Sequence, residues 1–220
     1  MNRAAFSFSR GLDVDALLPA VFIRLDESGG AELPASVDLQ ELRVVSPLFA
    51  VRTHATSFDE HAIGSVFDGV IQDDVLRRGA EVSRLAALAW RRRLATQLEQ
   101  RHSCRVLTEA LAMCGRRPEP PSSVIDLAGA AGVSREHFAR TLRSNGTRES
   151  FCAKRLVDVF MVLQILVMHS MGMSHRRAAI ESRVPYRTFL RARYRLEQEI
   201  PGSTANFRAL MVHVDVHLAT

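Results

Sequence analysis

The chain has 220 residues, 47% of them hydrophobic and 24% charged, with a formal net charge of +5. That leaves room for one large or two small globular domains, and it excludes a collagen-like or low-complexity chain. The charge is uneven. Residues 1–78 hold 7 Arg against 12 Asp and Glu, a net of −5, while residues 79–220 hold 22 Lys and Arg against 12 acids, a net of +10. An acidic front and a basic back point to a polyanion met by the back alone.

Neither an Arg-rich amphipathic leader nor a basic-then-apolar signal stands at the first residues, so export is not expected. The longest apolar run, Val157–Met173, is interrupted by Asp158, Gln164 and His169. It falls short of the ~20 residues of a membrane span and is expected to be a buried helix. Cys104, Cys114 and Cys152 are odd in number, widely spaced and without a CxxC pair. They are expected to be reduced cytoplasmic thiols, not a zinc site or a disulfide framework.

Met1–Arg10 shows no periodicity. From Leu17 the pattern turns to short apolar runs: Ala20-Val21-Phe22-Ile23, Leu42-Arg43-Val44-Val45, Leu48-Phe49-Ala50-Val51 and Phe67-Asp68-Gly69-Val70-Ile71. Runs of this length, rich in β-branched and aromatic residues, predict buried strands, with Ser28-Gly29-Gly30 and Ser46-Pro47 as turns between them. Asp59–Val66, with Ser57 as its cap, predicts a short helix. Alternating strand and helix implies a small α/β domain with a parallel sheet over residues 1–78.

Arg78–Gly115 reads as helical, carrying Leu85, Leu88, Leu94 and Leu98, and Arg91-Arg92-Arg93 breaks any clean heptad. Its first part could close the α/β unit and its remainder open the helical region after it. Trp90 offers either a dimer anchor or plain core. Arg116-Arg117-Pro118-Glu119-Pro120-Pro121-Ser122-Ser123 is the clearest break, which bounds a linking region at 79–121.

From Val124 the sequence predicts an all-α region, 122–210, of two helix-turn-helix units joined by one long helix, making the chain α+β overall. The first unit holds Leu127-Ala128-Gly129-Ala130-Ala131-Gly132-Val133-Ser134, then Phe138, Arg140 and Leu142. Ala128 allows a close helix crossing, Gly132 a left-handed turn, and Ser134 an N-cap. The second unit repeats the spacing, with Ala179, Arg183, Val184 and Phe189 each 51 residues after Ala128, Gly132, Val133 and Phe138. Phe151–Met171 between them is apolar around most of its circumference and must be covered on several sides. Leu210–Leu218 predicts either a final helix or an edge strand, with 211–220 as a tail. His213 and His217 have no third ligand, so no metal is expected.

Helix-turn-helix proteins set the second helix of a unit into the major groove and read with the residues near its start. Those are Ser134, Arg135, Glu136, His137 and Arg140 in the first unit, and Tyr186, Arg187, Thr188 and Arg191 in the second. Arg reads guanine and Glu accepts from cytosine N4, whereas Arg143, Arg176, Arg177, Arg193 and Arg195 are placed to meet phosphates. No nucleophile elbow or glycine-rich phosphate loop is present, so neither an enzyme nor a cofactor is expected.

The order Leu127-Ala128…Ala131-Gly132…Ser134…Phe138…Arg140…Leu142, Gly146-Thr147…Ser150-Phe151, Arg155-Leu156, then Ala178-Ala179, Phe189, Tyr194 and Gly202…Phe207-Arg208 resembles the AraC/XylS family of transcription regulators. The resemblance covers about residues 105–210. It implies a cytoplasmic, sequence-specific regulator whose partners are double-stranded DNA, RNA polymerase and a second copy of the chain, with a regulatory or dimerising front part. Arg183 and Val184 depart from the family's Gly and Phe. An Arg in a left-handed turn costs roughly 1–2 kcal/mol, so the second unit is expected to turn differently or to be less stable.

The front part resembles the later portion of a response-regulator receiver. Val21-Phe22-Ile23-Arg24-Leu25-Asp26 matches the strand with the phosphoacceptor, Phe49-Ala50-Val51-Arg52-Thr53 the switch strand, and Ser65–Gln72 the next strand. Gln72 replaces the family's lysine, and only Asp13 and Asp15 could stand in for its acidic pair, which suggests a shortened, silent receiver. This leaves two alternative functions. One is a response regulator phosphorylated on Asp26; the other is a degenerate helix-turn-helix protein acting through protein contacts.

Overall fold

The computed structural model describes residues 17–25, 38–52, 66–101, 104–144 and 153–217, without the side chains of Ser144 and 215–217. The proposed phosphoacceptor Asp26, the stand-ins Asp13 and Asp15, the switch hydroxyl of Thr53, the helix expected from Asp59, and the Gly146–Phe151 motif lie outside these residues, as does Cys152. The described chain is mixed α/β, mostly helical, with one small three-stranded parallel sheet.

The sheet consists of β1 (Val21–Arg24), β2 (Leu48–Arg52) and β3 (Gly69–Gln72), in that spatial order and all parallel. Val21 pairs with Leu48, and Phe49 with Gly69. β2 is central and covered on both faces, which is why it reads as an unbroken apolar run. Leu48 and Ala50 pack with Ile23 and Phe67 on one face, while Phe49 and Val51 pack with Ile71 and Ala89 on the other.

The segment at 42–45, expected as a strand, is part of helix α1 (Leu39–Val45). Two causes decide this. Asp38 caps the helix, its carboxylate accepting from the Gln40 N–H at 2.7 Å. Parallel β1 and β2 also need a crossover rather than a hairpin, and this segment lies in it. Leu39 and Leu42 face the sheet, and Val44 faces out. A short α2 (Asp73–Leu76), not anticipated, comes directly after β3.

The expected single helix over 78–115 is two: α3 (Gly79–Arg101) and α4 (Arg105–Arg116), packed against each other. Next come α5 (Val124–Ala130), α6 (Arg135–Ser144), α7 (Ala153–Ser170), α8 (His175–Glu181), α9 (Tyr186–Glu199) and α10 (Phe207–His217). The open choice at 210–218 therefore falls to helix. α7 is the apolar strut: every residue from Leu156 to Met168 is buried, including the polar Asp158 and Gln164. It is covered by α3, α5, α6, α8, α9 and α10, as an all-round apolar helix requires.

One buried cluster runs from Leu17 through Trp90, Leu107 and Phe160 to Phe207 and Val214. The cluster takes in residues on both sides of 121 and 211, and α3 contributes Ala86, Trp90, Leu94 and Leu98 to it. Trp90 settles as core: it donates to the Pro19 carbonyl at 3.0 Å and its ring lies 5.4 Å from that of Phe207.

The triplet Arg91-Arg92-Arg93 does more than interrupt a heptad. Arg91 is fully buried, and its two terminal nitrogens donate to the carbonyls of Cys114 (2.9 Å), Glu119 (3.1 Å), Arg117 (2.6 Å) and Pro118 (2.8 Å). Burial pulls its pKa down to about 10, which still leaves it charged at neutral pH. Arg93 reaches the other way, to the carbonyls of Arg43 and Ser46 and, at 2.8 Å, to Asp68, whose carboxylate also accepts from the Leu48 N–H. Neighbouring arginines thus tie α3 to the proline-rich segment on one side and to the sheet on the other.

Candidate nucleic-acid interface

Both helix-turn-helix units close on the same bonds. In the first, the Val133 N–H donates to the Ala128 carbonyl at 3.1 Å and the Gly132 N–H to Gly129 at 3.1 Å. In the second, Val184 donates to Ala179 at 2.9 Å and Arg183 to Ile180 at 3.0 Å, each bond 51 residues on. This paired bonding ends a helix through one left-handed residue. Gly132 supplies it at φ +68°, and Arg183 at φ +55°, alone among the described non-glycine residues in that region. Of the two outcomes expected of Arg183, a different turn or a less stable unit, the first does not occur: the turn is the same. Ser182, buried beside it, donates to the Met168 sulfur at 3.3 Å, so a neighbour helps to hold what Arg183 itself disfavours; the exposed Arg183–Glu119 pair at 3.1 Å adds little.

Each outer helix is anchored by one fully buried phenylalanine, Phe138 in α6 and Phe189 in α9. Ser134 caps α6, its hydroxyl accepting from the His137 N–H at 3.1 Å. The cap of α9 is Pro185, with no side-chain bond, and the Thr188 N–H turns back to its carbonyl at 2.8 Å.

Arg135, Glu136, His137 and Arg140 stand exposed along α6, and Tyr186, Arg187 and Arg191 along α9, with Thr188 half-buried. Arg135, Arg140, Arg187 and Arg191 make no ion pair or side-chain hydrogen bond among the described residues, so their donors face solvent. Arg143 folds its Nε onto the Ala139 carbonyl at 3.2 Å. Arg176 is exposed at the start of α8, and Arg177 is exposed beside Glu181 at 4.0 Å.

Arg195 is placed differently from its expected phosphate role. Its Nε and Nη2 meet the two oxygens of buried Asp158 at 2.7 and 2.8 Å, and Lys154 joins at 2.8 Å. Arg155 likewise pairs with Glu199 at 2.5 Å. These bonds fix direction. The far end of α9 lies against the start of α7, while His175 and Phe189 lie near His169 at the end of α7, so α9 runs antiparallel to the strut. The start of α9 therefore projects at the α8 end of α7. Part of the basic excess counted from the sequence is engaged within the chain: Arg91 and Arg93 are buried, and Arg155 and Arg195, less buried, are paired with Glu199 and Asp158.

Sequence reasoning missed Leu190, which is 42% exposed on α9, and named Tyr194, 66% exposed, only for the resemblance and not for the site. Spacing could have found Leu190, because it stands four after Tyr186 and next to Arg191. Of the cysteines, Cys104 and Cys114 are buried, and burial pushes the Cys114 thiol up to about 12, which makes it unreactive at neutral pH. Among the described residues no group of three or more His, Cys, Asp and Glu could hold a metal, and no helix is long and apolar enough to cross a membrane. No family model matches the chain, and no curated protein or solved structure is significantly similar to it.

Proposed function

We propose that the chain is a sequence-specific, double-stranded-DNA-binding regulator of transcription of the AraC type. α6 and α9 enter neighbouring major-groove segments, and α7 sets the distance between them. The observation that carries this reading is the repeat: two units with the same turn bonds at a constant offset of 51 residues, each offering unpaired arginines on the outer helix. Arg135, Glu136, His137 and Arg140 read bases for the first unit, and Tyr186, Arg187, Thr188 and Arg191 for the second. Ser134 holds the start of α6, and Arg143, Arg176 and Arg177 meet phosphates. Arg195 leaves that set, because Asp158 holds it.

Dimerisation through the sheet-bearing front and contact with RNA polymerase belong to the same reading, with the cytoplasm as its place. A protein-binding role for degenerate units would have been favoured by Arg183 and Val184, yet both keep the turn of the first unit. A regulator phosphorylated on Asp26 is carried by no described residue.

The test is a gel shift of the full chain on genomic fragments with a salt titration. Binding should weaken steeply as salt rises, because phosphate contacts release counterions. Arg187→Ala should cost about 1–3 kcal/mol at the preferred fragment and relax one base position. Binding with no salt dependence, or none at all, removes the reading.

A further inference from the structure

The two outer helices offer unlike surfaces at equivalent positions. The first, second, fifth and sixth residues of α6 are Arg135, Glu136, Ala139 and Arg140, while those of α9, again 51 on, are Tyr186, Arg187, Leu190 and Arg191. The sixth residue is Arg in both. At the fifth, α6 has a half-buried Ala that ends below its charged neighbours, and α9 has a Leu with 42% of its surface in solvent. At the first, α6 has an exposed Arg and α9 an exposed Tyr, whose ring is held 6.0 Å from that of Phe189. A single exposed Leu on a surface is ordinary. This one stands in the row of side chains that would face the base edges, between Tyr186 and Tyr194 at four-residue steps and beside Arg187 and Arg191.

The major groove displays one apolar group, the 5-methyl of thymine. Leucine cannot hydrogen-bond a base edge, so a groove-facing Leu190 gains only by covering such methyls and loses wherever it dries out a polar edge. Resting on the DNA-binding reading above, we propose that the site recognised is made of two unlike halves. The half under α9 carries thymine, its methyl groups packed on Leu190 and Tyr186. The half under α6 is read by charge and hydrogen bonding through Arg135, Glu136 and Arg140, with no apolar partner of comparable reach. Leu190 is then a specificity-determining residue, and the two units are not interchangeable on their site.

The test starts from a pool of random duplexes of ~30 base pairs, about three helical turns, enriched on the full-length protein. The selected duplex is then remade with deoxyuridine for thymine, one half at a time, which removes only the methyl groups. The half under α9 is identified as the one whose preference relaxes in Arg187→Ala. Uridine there should weaken binding about four-fold for each buried methyl, and uridine in the other half should leave binding unchanged. Leu190→Ser, an exposed substitution whose melting should match wild type, should lose less affinity than wild type when uridine replaces thymine, because only Tyr186 is left to cover the methyls. Equal binding of both duplexes by wild type, an equal loss in Leu190→Ser, or a selected α9 half without thymine overturns the inference and leaves the DNA-binding reading standing. Failure to enrich any duplex overturns both.

Discussion

The two helix-turn-helix units share a backbone and differ in what holds it. The first turns on Gly132, which has open space around it and no strain to offset, and its entry is fixed from outside by buried Arg91, which grips three carbonyls of the proline-rich segment and that of Cys114 at the end of α4. The second turns on Arg183, in a region that L side chains avoid, and is fixed from inside. Ser182 is bonded to the strut, Arg195 is clamped on Asp158, and His175 is packed between His169 and Phe189. Turn sequence alone therefore does not decide turn geometry. A cost of roughly 1–2 kcal/mol at one residue is outweighed by packing and bonds a few residues away.

The largest effect expected from breaking this comparison is at Arg91. Arg91→Leu fits the apolar surroundings but leaves four carbonyls and the turn between α4 and α5 without their donor. A buried carbonyl left without its donor costs about 1–3 kcal/mol, and the loss over these carbonyls is read as a lower urea midpoint of the full chain. On the proposed DNA-binding reading, the contacts under α6 should weaken before those under α9. A loss below about 1 kcal/mol would show that water replaces the guanidinium and that the first unit stands without it.

Legibility in the sequence depends on where each signal resides. The repeat of two helix pairs was legible because small and apolar residues recur in it at fixed steps, and Ala128, Phe138, Ala179 and Phe189 are all buried. β2 was legible because a strand covered on both faces is continuously apolar. The helix at 39–45 was not, because its apolar residues match a strand run as well as they match one helical face. What decides it is the Asp38 cap and the parallel pairing of β1 with β2, a long-range fact. The arginine roles were the least legible. Arg91 and Arg93 look like surface charge, and only the fold brings carbonyls and Asp68 to them; Arg195 looks like a phosphate ligand until Asp158, 37 residues earlier, is found beneath it.

A smaller effect tests the turns directly. Gly132→Ala meets no atom, so its cost is the backbone's alone, about 1 kcal/mol. Arg183→Gly should do the reverse. It relieves the left-handed strain, gives back part of it to the greater freedom of unfolded glycine, and gives up an exposed ion pair with Glu119 worth little. The net should be a gain of roughly 0.5 kcal/mol in urea denaturation. Loss of stability in Arg183→Gly would mean that the bond to Glu119, not the inner packing, maintains the second turn.

The finest distinction between the units is their response to acid. At the position of His175, one unit earlier by the 51-residue offset, stands Val124, so at this position the second unit has a titrating group and the first has none. The rings of His169 and His175 are 3.9 Å apart. His169 Nδ1 lies 2.7 Å from the Met173 carbonyl and must carry a proton to bond it, while His175 Nε2 is buried without a partner. Burial first, then the charges of His169 and Arg193, hold the His175 pKa below its usual value. The protonated form is thus disfavoured in the fold, and as pH falls through about 6.5 the unfolded chain takes up the proton first. Stability from this site is complete above that pH and declines below it, until the folded histidine protonates too. The melting temperature of the full chain should therefore drop more between pH 7.5 and 5.5 in wild type than in His175→Phe, which keeps the ring contacts and removes the titration. Parallel pH profiles for the two proteins would take His175 out of the account and leave both units equally indifferent to acid.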